Sequence, residues 1–81
     1  MKLLREDSRT YLDLKGVEHR LVYRLFCAQG RYGLEVEDKL GYGATVRDVT
    51  TRPVRAEELF RLVRDHLVTP VTLRDVLEDA L

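Results

Sequence analysis

A single cysteine, no net charge and no long apolar run set the first limits on this chain of 81 residues. Cys27 has no partner, so no disulfide can close within the chain, and one unpaired thiol fits a reducing compartment. Fourteen basic and fourteen acidic residues cancel. That balance removes the broad electrostatic drive toward nucleic acid or an anionic membrane. No stretch approaches the ~18 apolar residues of a membrane span. The opening MKLLREDSRT meets charge too early to serve as a signal sequence. These absences predict a cytoplasmic protein with no membrane partner. Two histidines and one cysteine at no ligand spacing carry no zinc signature. No glycine-rich loop precedes Lys-Ser/Thr, which excludes a P-loop. No cofactor or metal is expected.

A chain this short forms one domain and buries about 60–65% of the surface it would expose unfolded. Its core is therefore marginal, and self-association is a ready way to hide more apolar surface.

What is present divides at about Thr51. Before it the hydrophobic period is two. RTYLDL places Thr10, Leu12 and Leu14 on one face and Tyr11 and Asp13 on the other. HRLVYRLFCA places His19, Leu21, Tyr23, Leu25 and Cys27 together, opposite Arg20, Val22, Arg24, Phe26 and Ala28. YGLEVED turns Tyr32, Leu34 and Val36 inward and Glu35 and Glu37 outward. ATVRDVT is a weaker fourth strand. Val46 and Val49 cannot share a face at strict period two, which predicts a bulge or bend there. Turn signals at Lys15–Gly16, around Gly30 and at Gly41–Gly43 separate the strands. Short links between consecutive strands favour an antiparallel meander.

After Thr51 the period is 3.6. Ala56, Leu59, Phe60, Val63 and Leu67 form one stripe of a helix. Thr51 is the expected N-cap and Pro53 the first-turn proline. Pro70 ends that helix beforehand. Thr72 then starts another, with Asp75 in the capping-box position and a stripe of Leu73, Val76, Leu77 and Ala80. So short a helix is marginal alone and must pack on something. The expectation is a single α+β domain over residues 1–81: a three- or four-stranded antiparallel meander (1–51), then two C-terminal helices (52–81).

The tail VTPVTLRDVLEDAL, the strand YGLEVED and the junction VRDVTT resemble a family of small uncharacterised proteins from clostridia-like Gram-positive bacteria. Its members end in a comparable Val-(Ser/Thr)-Pro-Val-x-Leu-x-Asp-Val-x-Glu-Asp segment, and the likeness runs from about Tyr32 to Leu81. Where that pattern often closes on an aromatic, this chain has Ala80. The resemblance implies a bacterial cytosolic origin and names no substrate.

No catalytic constellation stands out. Cys27 and His19 lie on one strand ~26 Å apart at ~3.3 Å per residue, too far for a dyad. Cys27 reads as a small buried hydrophobe and His66 as a helix-end residue. GRYGLEVE is similar to an RNA-recognition signature, but Leu34 and Val36 stand where stacking rings are needed. It reads as a hairpin with a turn glycine. Asp75, Glu78 and Asp79 share one side of the last helix, opposite its apolar stripe. Arg61 has Glu57 and Glu58 one turn earlier and Arg64 has them two turns earlier; surface ion pairs are expected. Tyr11, Arg20 and Arg24 can share one face of the first hairpin if the register allows, and Tyr and Arg are enriched at protein interfaces.

The sequence therefore predicts a non-enzymatic interaction module or small adaptor, binding another protein or its own copy. Its candidate contact residues are Tyr11, Arg20, Arg24, Arg61, Arg64, Asp75, Glu78 and Asp79. The alternative is a nucleic-acid-associated regulator, motivated by arginine making up eleven of the fourteen basic residues. The charge balance disfavours it.

Overall fold

The computed structural model describes all 81 residues. Four strands, β1 (Lys2–Leu12), β2 (Glu18–Ala28), β3 (Arg31–Asp38) and β4 (Tyr42–Thr50), precede two helices, α1 (Pro53–Asp65) and α2 (Leu73–Ala80). The strands form one antiparallel sheet in chain order, as the short turns require. The tightest link is Gln29–Gly30, both at positive φ (54° and 75°), between the paired residues Ala28 and Arg31. Such a two-residue turn matches the strand twist and favours glycine at its second position.

Both helices lie on one face of the sheet. Leu21, Tyr23 and Leu25 from β2 and Leu34 and Val36 from β3 meet Ala56, Leu59, Phe60 and Val63 of α1 and Leu73 and Leu77 of α2. Every one of these is buried. At roughly 1.5–3 kcal/mol per large buried apolar side chain, this cluster carries the fold. The tail is thus a packing element: α2 sits beside α1 toward β4 and inserts Leu73 and Leu77. Its acids Asp75, Glu78 and Asp79 are exposed, as their spacing predicts. The Arg55 guanidinium donates to the Ala80 carbonyl at its C-terminal end.

Tyr23 is fully buried, and its hydroxyl donates to the Val68 carbonyl at 3.0 Å. Burial pushes the phenol up to about 12. The bond fixes the link between the helices to the middle of the sheet. Tyr23→Phe leaves that carbonyl unpaired and is expected to lower stability by about 1–3 kcal/mol, read as a shifted urea midpoint with an unchanged slope.

The expected bulge in β4 is present. The β3–β4 register shifts between Tyr32 and Leu34, Asp48 adopts φ 55°, and both Val46 and Val49 pack against the core. On the helix-free face, Phe26 lies over Gly33: a Cβ there would sit 2.4 Å from Phe26 Cζ and 2.9 Å from the Val46 carbonyl oxygen. The missing side chain makes room for the ring.

Four expectations need correction. The first strand starts at Lys2, not near Arg9, and Leu12 and Leu14 point to solvent while Tyr11 turns inward. Helix α1 is preceded by Arg52, not capped by Thr51, and Thr50 Oγ1 accepts from the Arg52 N–H instead. The Thr72 hydroxyl makes no cap bond. It turns back to Thr69, so Asp75 has no capping box to complete. Cys27 is only partly buried; its pair with Tyr32 is one step from the Ala28–Arg31 pair that closes the turn. Helix α1 ends in a Schellman arrangement, with Val68 N–H to Val63 O (3.0 Å) and Leu67 N–H to Arg64 O (3.3 Å). Leu67, at φ 51°, holds the position usually taken by glycine.

Candidate functional site

The β1–β2 and β3–β4 turns lie at the same end of the meander. That end presents apolar side chains. Leu14 is fully exposed, and Leu12, Leu40 and Tyr42 each show more than half their surface. Val17 is exposed beside them.

The two turns are tied together beneath these side chains. His19, at the start of β2, places Nε2 2.8 Å from Asp13 Oδ2 and Nδ1 2.7 Å from Asp38 Oδ2. The ring stacks on Tyr11 with centroids 4.7 Å apart. Each carboxylate also organises its own turn. Asp13 Oδ1 accepts from the Lys15 and Val17 N–H groups, and Asp38 Oδ1 accepts from the Leu40 N–H. Two carboxylates flank one imidazole, and only the doubly protonated ring has an N–H for each. The hydrogen bonds to Asp13 and then Asp38 accordingly raise the histidine above 6.5. Asp13 is lowered below 3.8, chiefly by His19. Asp38 is lowered mainly by the Leu40 N–H, with His19 contributing.

Both ring nitrogens are occupied by carboxylates, so the arrangement ties the two turns together. It has a pH signature. His19 is raised, so its stabilisation is fully present below 6.5 and fades as pH rises through its folded value. The aspartates are lowered, so theirs is present above 3.8 and fades as pH falls through their folded values. Melting temperatures are expected to peak between those limits. His19→Gln is expected to flatten the alkaline side of that curve.

The register settles the first-hairpin question against the sequence expectation. Tyr11 pairs with His19 and Thr10 with Arg20, so Tyr11 lies on the helix side while Arg20 and Arg24 lie on the open face. They form no common surface. Arg24 is instead enclosed by acids, with Nε 2.7 Å from Glu6 and Nη1 2.7 Å from Glu35 and 3.0 Å from Glu37. Glu6, then Glu35 and Glu37, hold its guanidinium well above the usual arginine range. Arg20 is exposed beside it.

The pairs expected along α1 are also replaced. Arg64 bonds Asp7 of β1 at 2.8 Å and its neighbour Asp65 at 2.9 Å, while Glu57 receives Arg5 at 3.0 Å. Arg61 is exposed and makes no ion pair. The cause is β1, whose inward positions Arg5, Asp7 and Arg9 place charge along the flank of α1. Sequence reasoning missed the Asp13–His19–Asp38 clamp because its members lie on three separate segments. The signal that could have found it was an aspartate at each turn flanking the inward-facing histidine.

The fold and site together define a small α+β domain, a four-stranded meander under two helices with a pinned apolar end. The chain belongs to a family of unknown function, DUF6514, whose model matches residues 4–81. Comparison with curated proteins and with solved structures gave no match. No helix is long and apolar enough to cross a membrane.

Proposed function

We propose that the chain is a non-enzymatic protein-interaction module that binds a partner protein through its hairpin-tip end. The observation that carries this reading is the pairing of exposed Leu14, Leu40 and Tyr42 with a clamp that fixes their turns. Apolar side chains held in place before binding lose little conformational freedom when covered, which favours association. We further infer a cytoplasmic location and an origin in clostridia-like Gram-positive bacteria, with the Val-Thr-Pro-Val-x-Leu-x-Asp-Val tail as a family signature.

The nucleic-acid reading loses weight, because Arg24 and Arg64 already hold carboxylates. Titration with RNA or duplex DNA at low salt is expected to be flat. The partner reading is tested by capture from lysate with the native chain and with a Leu14→Lys, Leu40→Lys variant. Both positions are exposed, so the fold is expected to persist. A stoichiometric polypeptide held by the native chain and lost by the variant supports the reading. Identical recovery by both, or none by either, overturns it.

A further inference from the structure

We propose that the free edge of β1 pairs with the β1 of a second copy, antiparallel and centred on Ser8, joining two four-stranded sheets into one. The backbone shows which groups are available. In an antiparallel ladder a residue's N–H and C=O point to one side, and successive residues alternate. Ala28 and Arg31 close a two-residue turn, and Lys39 N–H donates to the Arg20 carbonyl at 2.9 Å. The even-numbered residues of β2 therefore bond to β3, and Leu21, Tyr23 and Leu25 bond to β1. Their partners Arg9, Asp7 and Arg5 are thus committed inward. Glu6, Ser8 and Thr10 direct their backbone groups outward from the sheet, and all three are exposed.

The two edges of the sheet differ. β4 is broken by its irregularity and the positive φ of Asp48, which blunt it against pairing. β1 keeps one register from Arg5 to Leu12.

The charges select a second copy of this chain. A twofold axis normal to the sheet keeps both helix layers on one side, so residues of the same parity must face each other. Centred on Ser8, the pairing sets Asp7 against Arg9 of the second copy, twice, and Arg5 against Tyr11. Centred on Asp7 it opposes Asp7 to itself and Arg5 to Arg9. Centred on Arg9 it opposes two arginines. Centred on Glu6 it opposes two glutamates and runs into the register shift at Leu4. Opposite charges directly across a ladder stabilise and like charges destabilise, so the Ser8 register is favoured among these. The intramolecular contacts survive it. Asp7 uses Oδ2 for Arg64, and Arg9 uses Nη1 for the Arg64 and Asp65 carbonyls, so each keeps a free atom.

The test is site-directed cross-linking in a Cys27→Ser background, beside sedimentation of the native chain over a concentration series. In the Ser8 register two Ser8 Cα atoms lie about 5.5 Å apart, within the roughly 4.4–6.8 Å that a disulfide spans. Two Thr10 residues lie ~13 Å apart at ~3.3 Å per residue. The native chain is expected to sediment at twice its 9.4 kDa. Under mild oxidation, Ser8→Cys is expected to cross-link at least about tenfold faster than Thr10→Cys. Ser8→Pro removes an outward N–H that the β1–β2 ladder does not use, and is expected to give a folded monomer. A native chain that stays monomeric, equal cross-linking at both positions, or a dimer that persists in Ser8→Pro overturns the proposal. The hairpin-tip reading stands apart. A monomer that still loses its partner on changing Leu14 and Leu40 sinks only the pairing. A dimer that captures nothing sinks only the partner.

Discussion

Replacing Leu77 with aspartate is expected to abolish the cooperative unfolding transition of the domain. Leu77 is 1% exposed and packs in the cluster shared by both helices and the sheet. Removing a buried leucine side chain costs about 2–5 kcal/mol. A carboxylate in its place must also be desolvated without a partner, or remain protonated. The sum approaches the whole stability of a small domain, roughly 5 kcal/mol at the low end. Circular dichroism melts read the outcome. A variant melting like the native chain would show that α2 is dispensable to the core. If α2 alone detached, protease would trim the chain near Thr69–Thr72 while the sheet kept its transition. Leu77→Ala gives the graded version of the same test, with a loss of about 2–5 kcal/mol.

The second large effect is expected at Phe60. Its ring is fully buried on α1, with the Arg5 guanidinium 5.4 Å and the Arg64 guanidinium 5.8 Å from its centre. Phe60→Ala is expected to cost about 3–5 kcal/mol from the lost packing and the cavity left behind. Each cation over the ring adds roughly 0.5–1 kcal/mol at such partly exposed sites. Phe60→Leu keeps most of the volume and is expected to cost much less, about 1.5 kcal/mol plus the two cation contributions. Urea titrations of the two variants separate packing from the contact with the arginines. Equal losses would assign the whole effect to the ring's cation contacts.

The antiparallel meander, the two helices and their buried stripes were legible because burial repeats at periods that only those elements satisfy. Even the irregularity in β4 followed from Val46 and Val49 both needing the core. The start of β1 was not legible. Its inward positions are Arg5, Asp7 and Arg9, which carry no hydrophobic period and gain their partners from α1, more than fifty residues away. The shared face imagined for Tyr11, Arg20 and Arg24 failed for a related reason. Parity within one strand is readable from sequence, but pairing between strands depends on the turn. The turn spends Asp13 to Val17, and its length sets Tyr11 opposite His19. The clamp stayed hidden because each of its residues has an ordinary local reading, a turn aspartate or an inward-facing histidine.

The meander also dictates the order in which the chain can find its structure. Every strand pairs with its neighbour in sequence, so the sheet can zip from hairpin to hairpin with little loop-closure cost, the topology of quickly folding domains. The contacts of Arg5 with Glu57 and of Asp7 with Arg64 span 52 and 57 residues. They form only when α1 reaches the sheet. The charged flank of β1 is therefore a latch that closes late. Interactions made after the rate-limiting barrier govern how slowly a protein opens rather than how quickly it forms, so removing those ion pairs is expected to speed unfolding and leave the folding rate unchanged.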